Sequence, residues 1–227
     1  MDPAGDSKTT ASMVDAYRPK ITAMLKGIER YNPENLRTLE SFVGLQASGN
    51  IYELEANLAV LRLYQFSPHH YNNDIAALIL LKAFTNLPHT DFVLCKCLLS
   101  PEHYDDVKIA KVMVLANFLE TCNFKDFWAQ LKFDQDLVSS IVGFEDSIRK
   151  FVCHVVSITY QTIEFNVLKE LLGNVPDAVV KQWISKNGWK EEQSLVFVAS
   201  QEDMVKTKNI TEKIEFENVA NIMASCT

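Results

Sequence analysis

The stretch FEDSIRKFVCHVVSITYQTIEFNVLKELLGNVPDAVVKQWISKNGWKEEQSLVFVA, residues 144–199, carries the pattern that decides the fold. Ile148, Phe151, Val152, Val155 and Ile158 recur at helical spacing and mark one apolar stripe over 144–160. Thr162-Ile163-Glu164-Phe165 is short and alternating, the signature of a strand. Asn166 then stands where it caps a short helix with Val167, Leu168, Leu171 and Leu172 inward, and Gly173 supplies its stop. Pro176 suits the start of the next helix, 177–187, whose Val180, Trp183 and Ile184 share a face before Asn187-Gly188. Leu195-Val196-Phe197-Val198-Ala199 is the strongest strand in the chain, being β-branched and aromatic. Helix, strand, helix, Gly-containing turn, helix, strand is the order of a winged helix-turn-helix. Its small sheet is expected from the first strand and a hairpin around Lys190 to Val198.

Upstream of this stretch the pattern is helical throughout. Ile21, Met24, Leu25 and Ile28 share a face; Asn32-Pro33-Glu34 then form a start signal for a helix carrying Leu36, Leu39, Phe42, Val43 and Leu45. Residues 52–66 are apolar on two sides, with Leu54, Leu58 and Leu61 on one and Val60, Leu63 and Tyr64 on another, as in a helix sandwiched between neighbours. Asn72-Asn73-Asp74 open a helix that Pro88 closes, and His89-Thr90-Asp91 open a short one through Leu99. In 104–121, Val107, Ala110, Val114 and Phe118 are periodic, with Met113 and Leu115 on further faces. Two shorter amphipathic pieces lie near 124–133 and 135–142. Helices every ~15–20 residues, without a sequence repeat of fixed period, suit stacked helix pairs that bind other proteins through extended surfaces. Residues 1–14 are polar and small and read as a disordered extension. Residues 206–227 read as a tail in which Phe216, Val219, Ala220 and Met223, with Ile222 beside them, make a short apolar stripe in need of a docking surface.

The totals agree with a helical, mixed-charge protein. Of 227 residues 48% are hydrophobic, and only 7 Gly and 7 Pro are present, too few for a turn-rich all-β fold. A formal net charge of −7 argues against a general nucleic-acid binder and against simple attachment to anionic membranes. No apolar run approaches the ~20 residues needed to span a bilayer, and Met1 to Met13 hold no apolar signal core, so the chain is expected to be soluble and cytosolic, or nuclear by association.

Four features bear on chemistry. The helix 177–187 exposes Lys181 and Lys186, the two residues that a groove-reading helix would turn to nucleic acid. Residues 142–205 nevertheless hold six Lys/Arg against nine Asp/Glu, a net of −3, which favours a protein-docking winged helix. His89, Cys95, Cys97 and His103 cluster in sequence, but Cys95 and Cys97 point about 200° apart on a helix, so no metal is expected. Cys153 and His154 are adjacent on a helix and diverge by ~100°; His154 flanks the apolar stripe and reads as a core histidine. His69-His70 sit in a loop with nothing nearby in sequence to orient them, and no phosphate loop, nucleophile elbow or zinc-protease motif occurs. No catalytic residue, cofactor or metal is therefore assigned. Finally, the strand 195–199 either offers its backbone to another subunit as a sheet edge or is simply paired in its own hairpin.

The chain resembles the k-subunit family of eukaryotic translation initiation factor 3. The stretches that carry this are LKGIERYNPENLRTLE (25–40), YELEANLAVLRLYQF (52–66), LLKAFTNLPHTDFVLCKC (80–97), GFEDSIRKFVCHVVSITYQ (143–161) and NITEKIEFENVANIMAS (209–225). They are collinear from about residue 15 to the C-terminus. The resemblance implies a mainly α fold, a HEAT-like helical domain (15–141) followed by a winged helix (142–205), related to subunits of the proteasome lid and the COP9 signalosome. It implies a non-enzymatic subunit that docks to other subunits of the factor, the l subunit foremost, and that supports pre-initiation complex assembly on the small ribosomal subunit. Sheet docking would fall on Val196, Phe197 and Val198, and docking of the tail on Phe216, Val219, Ile222 and Met223. A lid- or signalosome-type scaffold and a winged-helix nucleic-acid binder are the alternatives.

Overall fold

The computed structural model describes residues 17–198. Within them the chain is mainly helical and ends in a small antiparallel sheet. The first helix, α1, covers 17–24 of the described residues. It is followed by two short 3-10 turns, Gly27–Tyr31 and Pro33–Asn35, then α2 (Leu36–Ser48) and α3 (Leu54–Phe66). Next come α4 (Asn73–Phe84), α5 (Asp91–Cys97), α6 (Val107–Glu120), α7 (Phe124–Phe133) and the single turn α8 (Gln135–Val138). The remainder is α9 (Phe144–Thr159), β1 (Thr162–Glu164), α10 (Phe165–Leu171), α11 (Asp177–Lys186), β2 (Lys190–Glu192) and β3 (Leu195–Phe197).

Helix starts follow local chemistry. The Asn72 side chain accepts from the N–H groups of Asp74 and Ile75 at the head of α4. Asp106 does the same for Lys108 and Ile109 at α6, and Asn123 for Asp126 at α7. Each satisfies amides that have no partner inside the helix. Asn32 caps too, but on the 3-10 turn Pro33–Asn35 that precedes α2. Asn166 does not cap: α10 begins one residue earlier, at Phe165, so Asn166 lies within its first turn. The Phe165 N–H is instead taken by the Ser194 carbonyl, which ties the start of α10 to the β2–β3 hairpin.

The core is laid around α4. Ala76, Ala77, Ile79, Leu80, Leu81, Ala83 and Phe84 are all buried there, because α2, α5, α6 and α9 pack around this one helix. A helix apolar on all sides is what a central position demands. α2 and α3 form an antiparallel pair joined by a buried amide bridge. Gln46 Nε2 donates to Asn57 Oδ1 (2.9 Å), and Gln46 Oε1 accepts the Glu53 N–H (2.8 Å). Both side chains are fully buried, and the bridge occupies a place expected for Leu45, which is only half-buried.

The α6 stripe differs from its sequence reading. Ile109, Val112, Leu115, Ala116 and Leu119 face the core, while Val107 is 69% exposed and Val114 is 45% exposed. Apolar residues occur all round this helix, so periodicity alone does not select a face; packing on α4 and α7 selects it. In α9 Ile148, Phe151 and Val152 of the stripe are buried, Val155 is half-buried and Ile158 is 62% exposed, while Cys153 and Val156 join the inward face.

One buried apolar cluster runs from Ile21 through α2–α9 to Leu168, Val180, Trp183 and Val196. Across the boundary expected at residue 142, the Val142 N–H donates to the Ala47 carbonyl (3.0 Å). Trp128 Nε1 on α7 donates to the Leu171 carbonyl at the end of α10 (2.8 Å). Arg149 on α9 lies over the Trp128 ring (5.2 Å), donates to the Leu172 carbonyl (3.2 Å) and pairs with Glu145 and Asp146.

Candidate docking surfaces

The three strands lie in the order β1-β3-β2, both pairings antiparallel. Val196 faces Ile163 on one side and Glu191 on the other, so β3 is the central strand. Of the two readings of this strand, the paired one holds: the β3 ladder is satisfied on both sides, and among the described residues the free edges belong to β1 and β2. The β2 sequence Lys-Glu-Glu is exposed at every position and carries no apolar alternation, so the strand that covers the second flank of β3 is nearly silent in the sequence.

The residues assigned to sheet docking therefore separate. Val196 is fully buried, beneath the sheet, and belongs to the core. Phe197 is 38% exposed and Leu195 40% exposed, on the opposite face of β3. Their cross-strand neighbours are Thr162 and Glu164 on β1, and Lys190 and Glu192 on β2. Strand periodicity places all six on one face, an apolar pair flanked by polar residues. Val198 lies just past β3, half-buried, with its N–H donating to the Gln161 carbonyl (2.9 Å). Leu195, which the sequence reading placed in the strand but not in the site, joins Phe197. Period-two alternation around buried Val196 was the signal for it.

The two lysines of α11 are both engaged inside the chain. Lys181 Nζ pairs with Glu191 of β2 (3.2 Å), and Lys186 Nζ sits 4.6 Å from the centroid of the Trp183 ring. Both side chains remain exposed, so each of these is a surface contact worth about 1 kcal/mol or less.

The Cys and His residues are dispersed. Cys95 and Cys153 are buried, and burial pushes each thiol up to about 12, with the Asp91 carboxylate adding to the effect at Cys95. Such thiols stay protonated and are poor nucleophiles. Cys97 and Cys122 are exposed. His103 stacks flat on Tyr71 (centroids 3.6 Å, 4° between planes). His69 and His70 are exposed in a 3-10 turn. His154 is exposed, not a core histidine: the inward face of α9 is taken by Phe151, Val152, Cys153 and Val156, and His154 falls outside it. Among the described residues no three His, Cys, Asp or Glu side chains converge closely enough to hold a metal. None of the described helices is long and apolar enough to cross a membrane. The extension 1–14 and the tail residues Phe216, Val219, Ile222 and Met223 lie outside the described residues.

Comparison with known proteins bears on most of the chain. Residues 70–209 match the CSN8/PSMD8/EIF3K family. The chain is similar to "Eukaryotic translation initiation factor 3 subunit K" of Anopheles gambiae, 56% identical over 94% of this chain and 97% of the relative. It is also similar to the proteins of the same name from Danio rerio, 52% identical over 95% and 99%, and Homo sapiens, 52% identical over 94% and 99%.

Proposed function

We propose, from the premise that this chain belongs to the CSN8/PSMD8/EIF3K family, that it is the K subunit of eukaryotic translation initiation factor 3. It works by docking to other subunits, without catalysis of its own. The observation that carries this reading is the similarity, over 94% of this chain, to K subunits of insects and vertebrates. In this reading the helical part is a HEAT-like stack, and the order α9-β1-α10-α11-β2-β3 is a winged helix used for protein contacts. The chain sits in the cytoplasm beside the l subunit and meets the small ribosomal subunit through the complex.

Two surfaces are assigned to docking. One is the outer face of the sheet, where Leu195 and Phe197 stand exposed between polar neighbours. The other is the tail stripe Phe216, Val219, Ile222 and Met223. The net charge of −3 over residues 142–205 supports protein contact over groove reading at α11.

Affinity purification of the tagged full chain tests the assignment. The expected result is recovery of the other initiation factor 3 subunits; recovery of proteasome-lid or signalosome subunits alone would overturn it. Leu195→Glu with Phe197→Glu should reduce recovery about tenfold or more, because two charges are driven into a desolvated contact. Lys181→Glu with Lys186→Glu should leave recovery within about twofold.

A further inference from the structure

A five-residue motif recurs in two turns of the helical part that neither docking surface absorbs. Ser67-Pro68-His69-His70-Tyr71 follows α3, and Ser100-Pro101-Glu102-His103-Tyr104 lies between α5 and α6; the two agree at four of five positions. Each forms a 3-10 turn, Pro68–His70 and Pro101–Asp105. The fold sets these turns side by side in one register. Gln65 Nε2 donates to the Leu98 carbonyl (2.9 Å) and Asn73 Nδ2 to Asp106 Oδ2 (2.8 Å), both across 33 residues, which is also the separation of Ser67 from Ser100. Between these two bonds the Tyr71 ring stacks on His103 (3.6 Å).

The shared prolines and tyrosines have structural roles. Pro68 and Pro101 take the first position of each turn, where a missing N–H costs nothing. Tyr71 is held in the stack, and Tyr104 Oη donates to the Lys96 carbonyl (3.1 Å). The shared serines have none of this kind. A serine before such a proline ordinarily caps, its Oγ accepting an amide N–H of the turn. Neither Ser67 nor Ser100 makes that bond. Both serines are half-buried, but Pro68, His69 and His70 after one and Pro101 and Glu102 after the other are exposed. Ser100 is extended (φ −71°, ψ 144°), and Ser67 (φ −133°, ψ 71°) also stands outside the helical region, as a residue before proline does.

The Ser-Pro step is selective within this chain. Of its 7 prolines two follow Ser, at 67 and 100, and none follows Thr. Proline has no amide hydrogen, so an acceptor site that offers that position no partner admits Ser-Pro and disfavours other steps. Such a site belongs to a proline-directed protein kinase.

We infer that Ser67 and Ser100 are paired acceptors for a proline-directed kinase. The serine Oγ attacks the γ-phosphorus of ATP, the bond from that phosphorus to the oxygen bridging the β-phosphate breaks, ADP leaves, and the hydroxyl proton passes to a base of the kinase. Each phosphoserine carries about −1.5 to −2 at neutral pH, so the pair adds about −3 to −4 to a surface where Glu102 and Asp105 are already exposed. The modified corner then takes up basic surfaces and rejects acidic ones. This holds whichever complex the chain joins.

The test takes the full chain from the cells that make it, under phosphatase inhibition, and maps phosphate by mass spectrometry. Phosphate is expected on Ser67, Ser100 or both, falling at least fivefold when proline-directed kinases are inhibited. A mitogen-activated protein kinase with ATP should also phosphorylate the recombinant full chain, and Ser67→Ala with Ser100→Ala should cut that incorporation at least tenfold. The double variant should unfold at the temperature of the parent. Unmodified serines in the cellular protein would overturn the inference, as would equal labelling of the double variant. A fall of more than about 2 °C in its unfolding midpoint would show that the serines hold their turns, and would overturn it too.

Discussion

Lys82 places an amine among the buried residues of α4. It interrupts the apolar run of α4 and is only 1% exposed. Burial lowers its pKa from the ordinary 10.5 to about 8. The ammonium is therefore held in the core at neutral pH at a cost of roughly 3 kcal/mol, since one pKa unit is about 1.4 kcal/mol. The unfolded chain binds the proton more tightly, so this penalty is complete below about pH 8 and fades as pH rises toward 10.5. Lys82→Met should thus stabilise the protein by roughly 1–3 kcal/mol at pH 7, with the gain shrinking between pH 8 and pH 10. Urea unfolding of both proteins across that range checks it. A loss of stability would show that a carbonyl or carboxylate holds the ammonium. The comparison must be between the two proteins, because Cys95, Cys153, the buried Tyr64 and the half-buried Tyr71 have raised pKa values and oppose the trend above about pH 9. Gln46 is the same lesson in neutral form. A polar residue on the apolar face of α2 reads as an exception, but it is the bridge to Asn57 and the Glu53 amide.

Among elements, the turn between α10 and α11 shows how much local chemistry can be read in advance. Gly173 was legible as a helix stop, and its φ of +91° is a conformation that side chains rarely adopt. Its second role was not legible. A Cβ at Gly173 would lie 2.9 Å from the Trp128 ring, on a helix 45 residues earlier. The same ring is held by the Leu171 carbonyl and by Arg149. Gly173→Ala should therefore cost about 2–4 kcal/mol, the sum of a strained backbone and a displaced indole. Thermal unfolding of the variant measures it. A cost below about 1 kcal/mol would mean that the indole moves aside freely. The sheet shows the opposite case. β1 and β3 announce themselves by β-branched and aromatic residues, but β2 is Lys-Glu-Glu, whose place is set by its hairpin with β3.

At the scale of the molecule, the buried cluster crosses from the helical part into the sheet region without a gap. Trp128, Arg149 and the Val142–Ala47 hydrogen bond join the same two parts. Residues 15–141 and 142–205 should accordingly unfold in one cooperative transition, with calorimetric and van't Hoff enthalpies agreeing. Two resolved transitions would show that the parts are thermodynamically separate domains. By itself the sequence determined the helical class, most helix starts and stops, the β-α-α-β order of the last third and the family. These depend on spacing, caps and turn residues that act over a few positions. Only the tertiary structure decided which face of α6 is buried, that β3 is central and that Lys82 is enclosed. It alone brought Phe133 and Val107 into the lining of one groove. Each of these depends on which neighbour covers a surface, and a local pattern cannot carry that information when a helix is apolar on all sides or a strand has only three residues.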